Sequence, residues 1–248
     1  MGATFGAQMP ERLRVDITPS EQVTAIAYDA APRDRADICL ILAPGAGASQ
    51  TNRFMVHFAT TLAARGFDTV TFDFAYVEHG RRIPDRNEKL EACYAEVIAA
   101  IRARIDHCAA RDKLVIGGKS MGGRIASQVA AVSPDGIAGL VFLGYPLHPP
   151  GRPNQLRTRH WPDIRLPMLF VQGSRDPFGT PDELRPLIAN LEAPAELCAV
   201  EGGDHSFKVP KAAGPQDRVY EFALDEIERW LRSAILSFPA KAGTAGAK

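Results

Sequence analysis

Eight short apolar stretches divide the chain and predict the strands of a sheet. They span residues 12–17, 22–28, 38–43, 69–74, 114–117, 140–143, 168–172 and 196–200. Three of them, 39–43, 140–143 and 168–171, are apolar without alternation, which is typical of central parallel strands covered by helices on both faces. The first two alternate polar and apolar residues with no helix between them, so they predict an antiparallel pair at the sheet edge.

Longer segments with helical periodicity alternate with the later strands. They cover residues 53–65, 89–108, 121–132, 181–191 and 216–236. In the second of these segments, apolar side chains recur three or four positions apart, as at Leu90, Tyr94 and Val97. The alternation predicts one α/β domain over residues 1–238, built on a doubly wound, mostly parallel eight-stranded sheet without a cap domain. Residues 239–248 are small and polar, and we expect a disordered tail there.

The amino-acid composition indicates which partners and which cellular compartment to expect. Of the 248 residues 46% are apolar, and 29 basic side chains balance 29 acidic ones, which argues against nucleic acid as a partner. No apolar run approaches the roughly 20 residues that span a bilayer, and residues 1–10 lack the features of a secretory signal. We therefore expect no membrane partner and a cytoplasmic monomer or homodimer.

The four cysteines favour the same compartment. None forms a CxxC pair or lies beside a histidine at the spacing of zinc ligands, so buried thiols in a reducing compartment explain them best. A disulfide in an exported form is the alternative. The residues concerned are Cys39, Cys93, Cys108 and Cys198.

The most informative motif is GKSMG at residues 118–122. It matches G-x-S-x-G, follows the fifth apolar stretch and opens the helical segment 121–132, a context typical of a nucleophile elbow. The glycines remove the Cβ atoms that would keep strand and helix apart, and the helix N-terminus favours a developing oxyanion. We therefore predict that Ser120 is a nucleophile. The alternative is a glycine-rich turn whose serine only caps the helix.

Two later loops supply the acid and the base that a serine nucleophile needs. Asp176 follows the seventh strand and His205 follows the eighth, in the order nucleophile, acid, base that accompanies this elbow. His205 would accept the serine proton and return it to the leaving group, and Asp176 would orient the imidazole. Taken alone, Asp176 fits an Asx turn and His205 fits a solvated loop. Asp204 is a weaker candidate for the acid, because an adjacent residue seldom points its carboxylate along its neighbour's ring.

The loop after the third strand, residues 43–49, has the sequence APGAGAS. Its glycines would let main-chain N–H groups turn inwards, so the N–H groups of Ala46 and Met121 are predicted to form an oxyanion hole, with Gly45 against the substrate. A plain strand-to-helix turn is the alternative. The loop has neither the G-K-[ST] ending of a phosphate-binding loop nor a G-x-G-x-x-G pattern, and the sequence presents no metal-ligand set. We therefore expect no metal and no cofactor.

Together these motifs resemble the α/β-hydrolase superfamily, and within it the small dienelactone-hydrolase-like predicted hydrolases. The resemblance covers roughly residues 38–236 and is carried by residues 42–48, 117–123, 144–148, 169–176 and 203–206. It implies an α/β-hydrolase fold and a triad of Ser120, His205 and Asp176. The branch also includes a subunit of a histone-acetyltransferase complex, so a non-catalytic interaction protein is one alternative. Pro44 stands where many members have a histidine that braces the loop.

The surroundings of Ser120 predict an open site for a small acyl substrate. Only residues 147–166 separate the sixth and seventh strands, too few for a cap domain, and this disfavours long-chain lipids. Lys119 and His148 are expected to contact the substrate, although surface exposure is the commoner fate of such side chains. If Lys119 and one arginine both face the pocket, we expect an anionic substrate. The arginines near the predicted strand ends are Arg53, Arg81, Arg82 and Arg124.

The sequence therefore predicts a serine hydrolase. It would cleave esters or thioesters of small carboxylic acids through an acyl-serine intermediate. An acyltransferase or a cofactor-free haloperoxidase would use the same three side chains with a different second substrate, and these alternatives stay open at this point.

Overall fold

An eight-stranded sheet lies at the centre of the protein, in a computed structural model that describes residues 9–105 and 113–236. The order of the strands across the sheet is β1-β2-β4-β3-β5-β6-β7-β8. β2 pairs antiparallel with β1 and β4, and the remaining neighbours pair parallel, which confirms the predicted fold class. The strands are β1 (Glu11–Thr18), β2 (Glu21–Tyr28), β3 (Cys39–Ala43), β4 (Asp68–Phe72), β5 (Leu114–Lys119), β6 (Gly139–Leu143), β7 (Met168–Gly173) and β8 (Ala195–Val200).

Within residues 9–105 and 113–236, six α-helices connect or follow these strands. The five predicted helices all form, and the structure adds α2, whose four residues are too few for a periodic pattern to reveal. α5 begins with a capping box between Thr180 and Glu183 and ends three residues before the predicted end. The helices are α1 (Arg53–Ala64), α2 (Ala75–Glu78), α3 (Asn87–Ile105), α4 (Met121–Val132), α5 (Pro181–Ile188) and α6 (Gln216–Trp230), and a π turn (Leu231–Ile235) extends α6.

Two apolar layers cover the sheet, one on each face. α1 and α6 pack on one face, where Phe58 and Trp230 are fully buried. α3, α4 and α5 pack on the other face, which buries Tyr94 and Trp161. Because helices cover both faces, the central strands β3, β5, β6 and β7 are buried along their whole length. The unbroken apolar sequences at 39–43, 140–143 and 168–171 predict this for β3, β6 and β7.

The connection between β6 and β7 stays short. Within it, residues Trp161–Asp163 form one turn of 3₁₀ helix, and the buried Trp161 ring holds that turn against the core. Trp161 Nε1 donates to the hydroxyl of Tyr145, which in turn donates to the carbonyl of Arg157. No separate cap domain stands over the sheet in the part of the chain that the structure describes.

Three of the four cysteines lie in the core. Cys39, Cys93 and Cys198 are buried, and burial raises the pKa of Cys93 and of Cys198 to about 12, so these two thiols stay protonated. Cys108, the predicted end of its helix at 108 and the predicted tail 239–248 lie outside the described residues. Among the residues described, no helix is both long and apolar enough to cross a membrane.

Candidate functional site

Ser120 lies at a sharp turn between β5 and α4. Its backbone has φ 51° and ψ −115°, a conformation that side-chain-bearing residues rarely adopt. The turn requires close contact with the end of β3: a Cβ on Gly118 or on Gly122 would come within 2.2 Å of the carbonyl oxygen of Ala43. Glycine at both positions therefore lets strand and helix meet, and the strained turn projects the serine hydroxyl away from the sheet.

A continuous chain of hydrogen bonds connects Ser120 with His205 and Asp176. His205 Nε2 lies 2.8 Å from Ser120 Oγ, and His205 Nδ1 lies 2.7 Å from Asp176 Oδ2. The three residues come from three different loops at the carboxyl ends of β5, β7 and β8. The structure thus brings together the three side chains that the sequence selected, in the relative order that proton transfer from the serine requires.

The environment of Asp176 fixes its carboxylate in place. Its side chain is fully buried; Oδ1 accepts the N–H of Phe178 at 2.8 Å, and Oδ2 accepts the side-chain amide of Gln172 at 2.9 Å. Gln172 is itself buried on β7 and accepts the N–H of Tyr145 from the loop after β6. A buried carboxylate with all these donors stays oriented towards His205.

Asp204, the alternative acid, has a different role. Its Oδ1 accepts the main-chain N–H groups of Ser206 and Lys208, so the carboxylate closes the turn that carries His205. The ring of Phe178 lies 4.3 Å from the ring of His205, centroid to centroid. The histidine is therefore positioned by the turn that carries it and by contact with an aromatic ring.

The loop between β3 and α1 lies directly against the serine. A Cβ on Gly45 would be 3.5 Å from Ser120 Cβ, which shows how closely the loop passes. Gly45, Ala46 and Met121 all line the cavity in front of the hydroxyl. Within the residues described, neither the N–H of Ala46 nor that of Met121 donates to a protein atom, so both are available to a ligand. This is the arrangement that an oxyanion hole needs.

Two side chains that belong to no sequence motif brace this loop. The hydroxyl of Tyr76, on α2, accepts the N–H of Gly47 at 2.9 Å. Asp73, at the end of β4, accepts the hydroxyl of Ser49 and the N–H of Gln50 at 2.8 and 2.6 Å. Burial raises the pKa of both Asp73 and Tyr76. These contacts hold the loop in place, whereas Pro44 within the loop has no polar side chain that could do so.

A cavity of about 860 Å³ opens in front of Ser120. Its size is in the range of small-molecule sites. Besides the serine, the histidine and the loop 45–48, its walls come from the start of α1, the segment before α3, the exposed side of α4 and the β6–β7 connection. The side chains from these segments are Asn52, Phe54, Pro84, Asp85, Asn87, Leu90, Arg124, Gln128, Pro146, Arg157, Arg159 and His160, together with Lys119, Phe178 and Ser206.

The predicted substrate contacts are met in part. Lys119 and Gly45 line the cavity, but His148 does not, so the expectation for His148 is wrong. The His148 ring is buried, with Nδ1 2.9 Å from the carbonyl of Pro149 and Nε2 3.1 Å from Glu183 on α5. Both ring nitrogens are thereby occupied, and the contact of Nε2 with Glu183 holds the loop after β6 to α5. Of the four arginines near the predicted strand ends, Arg124 lines the cavity and the other three, Arg53, Arg81 and Arg82, are exposed elsewhere.

Lys119 is buried beside the serine without a hydrogen-bond partner for its ammonium in the described part of the chain. Nζ lies 5.9 Å from the ring centroid of Phe54, and the stem passes Gly45. Burial lowers the pKa of Lys119 to about 8, against an ordinary value of 10.5, although the charges of Asp176 and Asp204 act in the opposite direction. A buried ammonium of this kind reduces the stability of the fold at neutral pH.

Replacing Lys119 by methionine is therefore expected to stabilise the protein at pH 7, by about 2 kcal/mol. Between pH 8 and 10.5 the unfolded wild-type chain binds more protons at this side chain than the folded chain does, so wild-type stability should rise through that window. The advantage of Lys119→Met should shrink over the same window. Urea unfolding at pH 7, 9 and 10.5 measures both effects, with the exposed Lys208→Met as control. A Lys119→Met variant no more stable than wild type at pH 7 would contradict the expectation.

Among the described residues, no group of three or more His, Cys, Asp or Glu side chains is arranged to hold a metal ion.

A parallel sheet with a serine at a strand–helix elbow, followed along the chain by an acid and a histidine, defines the class of α/β hydrolases. A family model described as an alpha/beta hydrolase domain matches residues 36–232, and the chain belongs to this family.

Solved structures of serine hydrolases share the fold. An α/β serine hydrolase homologue from Coxiella burnetii is 19% identical over 89% of this chain and 95% of its own, with a TM-score of 0.63. A serine hydrolase without a lid from Xanthomonas campestris is 19% identical over 92% and 94%, with a TM-score of 0.65. Dienelactone hydrolase from Anabaena variabilis is 17% identical over 92% and 100%, with a TM-score of 0.66. At these identities the likeness extends to the fold alone.

Proposed function

We propose that the protein is a serine hydrolase that cleaves esters or thioesters of small carboxylic acids through an acyl-serine intermediate. The observation that carries the proposal is the continuous hydrogen-bonded chain from Ser120 through His205 to the buried Asp176. The Ser120 hydroxyl, at one end of this chain, faces an open cavity beside two available N–H groups.

The residues of the site divide the steps of this mechanism among them. His205 Nε2 takes the hydroxyl proton as Ser120 Oγ attacks the carbonyl carbon, and Asp176 stabilises the imidazolium that forms. The N–H groups of Ala46 and Met121 bind the oxyanion of the tetrahedral intermediate. His205 then gives the proton to the leaving alcohol or thiol, which departs and leaves the acyl group on Ser120. A water molecule, deprotonated by the same histidine, releases the acid and restores the serine.

The walls of the cavity support a small, polar acyl substrate. Its walls combine polar and charged side chains with the apolar side chains of Phe54, Leu90 and Phe178. No cap domain closes over the opening within the described chain, so a long hydrocarbon chain would remain in contact with water. The site therefore suits acids with short chains and polar groups better than lipids.

Reaction with a fluorophosphonate probe tests this proposal directly. We expect one covalent adduct by intact mass, which peptide mapping assigns to Ser120, because the phosphonyl group traps an activated serine as a tetrahedral adduct. Unfolding the protein in urea before adding the probe should abolish labelling, since isolated serines do not react. A folded protein that forms no adduct would overturn the proposal and favour an interaction protein that retains the fold.

A further inference from the structure

Three arginines line the cavity that contains Ser120, and one of them lies on the helix that follows the serine. Arg124 and Gln128 lie four residues apart on one side of α4, Ser120 immediately precedes that helix, and all three line the cavity. The main chain of Arg124 is one helical turn, about 6 Å, from that of Ser120, whose carbonyl accepts the Arg124 N–H. Arg157 and Arg159 reach the same cavity from the β6–β7 connection.

These three guanidinium groups have no carboxylate partner among the described residues. Arg124 donates to the neutral oxygens of Gln128, at 2.9 Å, and Asn87, at 3.2 Å. Arg157 donates to the carbonyl of Pro146 at 3.4 Å. Within the described chain, Asp85 is the one acidic side chain in the lining outside the triad, and its carboxylate lies 2.7 Å from Arg81. The charge of Glu91 on α3 acts on Arg124, but no described carboxylate forms an ion pair with any of the three guanidinium groups.

Of the described arginines outside the cavity, Arg65 is the one that is partly buried, and it is paired with acids. It lies against three carboxylates, those of Glu221, Asp225 and Glu228. The exposed Arg104 on α3 is also paired with two carboxylates, at the sheet edge. Arg124 and Arg157 are partly buried too, but neither forms an ion pair with a described carboxylate. Placing Arg124 and Arg157 close together without an acid costs stability, and packing alone gives no reason for it.

Histidine does not contribute to this charge. His160 lines the cavity next to the arginines, but burial and the nearby charge of Arg124 lower its pKa to about 4. Its Nε2 lies 2.7 Å from the hydroxyl of Ser127. His160 is therefore neutral above about pH 5, and the positive field in the cavity arises from the arginines and Lys119.

We propose that Arg124, Arg157 and Arg159 bind a negatively charged group of the substrate, a carboxylate or a phosphate, while Ser120 attacks an ester or thioester carbonyl about one helical turn away. The inference rests on the proposed hydrolase function and names its substrate class. A guanidinium cluster of this kind binds both anions through paired hydrogen bonds. The partial burial of Arg124 and Arg157 strengthens those bonds, while Arg159 contributes from an exposed position. Acyl compounds with a second acidic group fit this arrangement.

Two esters that differ in one group test the proposal. Monoethyl adipate carries a carboxylate where ethyl hexanoate carries a methyl group. We expect the wild-type enzyme to have a KM about 10- to 100-fold lower for the charged ester, the range for a hydrogen bond to an ionised group. Ethyl 5-phosphonopentanoate replaces the carboxylate by a phosphonate, and whichever acid has the lower KM identifies the preferred anion.

Arginine variants show whether the cluster is responsible. Arg124→Gln and Arg157→Gln are each expected to reduce the preference for the charged ester about tenfold, mainly through KM, and Arg124→Lys to restore part of it. Arg218→Gln, an exposed arginine on α6 outside the cavity, is the matched control and should keep the preference of wild type. Raising the salt concentration from about 0.05 to 0.5 M should lower the preference in wild type more than in the variants.

Binding to a Ser120→Ala protein separates this inference from the proposed function. Calorimetry should detect monoethyl adipate, and adding Arg124→Gln should weaken its binding about tenfold. A wild-type protein that reacts with the fluorophosphonate but treats both esters alike would overturn the inference and leave the hydrolase in place. Binding that depends on Arg124 in a protein whose serine does not react would support the anion site and overturn the hydrolase.

Discussion

The Ser120→Ala variant is expected to lose ester hydrolysis by a factor on the order of 10⁶ in kcat, the scale of nucleophile removal in serine hydrolases. Alanine cannot form the acyl intermediate, and water positioned by His205 is a poor substitute. The fold should survive, because the Ser120 side chain makes one hydrogen bond, to His205, and the strained backbone is as costly for alanine as for serine. We expect the free energy of unfolding to stay within about 1 kcal/mol of wild type.

Hydrolysis of monoethyl adipate, followed by proton release, measures this loss. Ser206→Ala is the control, because Ser206 also lines the cavity but its side chain takes no part in the hydrogen bonds of the site. A Ser120→Ala protein that hydrolyses esters at a tenth of the wild-type rate would place the chemistry on another residue.

The Asp176→Asn variant is expected to lower kcat by about 10⁴-fold, as when the acid of such a triad is replaced by its amide. Asp176 accepts hydrogen bonds at both oxygens, from Gln172 and His205 at one and from Phe178 at the other. An amide offers one oxygen and one NH₂ group, so in either orientation a donor faces a donor. The amide then favours the wrong tautomer of His205 or leaves a buried N–H unpaired.

Asp204→Asn is the matched control for this variant. Its carboxylate accepts two main-chain N–H groups at one oxygen, Oδ1, and asparagine keeps such an oxygen. We expect kcat to change less than about threefold. The two variants thus decide which of two nearby acids orients His205. If the larger loss occurred at Asp204, the geometry of the Asp176 contact would not describe the working enzyme.

The parts of the site that the sequence predicted are those set by local backbone geometry. The elbow around Ser120 needs glycine at 118 and 122, so five consecutive residues of the sequence are enough to predict it. Asp176 and His205 follow from the rule that parallel strands end at the same edge of the sheet, since each comes directly after a strand. Neither inference needs knowledge of how side chains pack.

The parts that escaped prediction depend on packing between segments distant along the chain. Gln172 supports Asp176 only because β7 lies beside β6 and its loop, where Tyr145 completes the network. Arg157 enters the cavity through an irregular connection whose course no periodic pattern describes. His148 was wrongly expected at the substrate because its contact with Glu183 on α5 follows from tertiary structure alone.

Two of the arginines proposed to bind the substrate lie on the β6–β7 connection, apart from the residues proposed to react with it. This connection supplies Arg157 and Arg159 to the cavity, while the nucleophile, the base, the acid and both N–H donors come from other loops. Leu147 and His148 at its start and Trp161 near its end are buried and anchor it. Residues 149–160 can therefore be exchanged as a cassette, by evolution or by a protein engineer, and each exchange would change the side chains that stand beside Arg124 without altering the residues around Ser120.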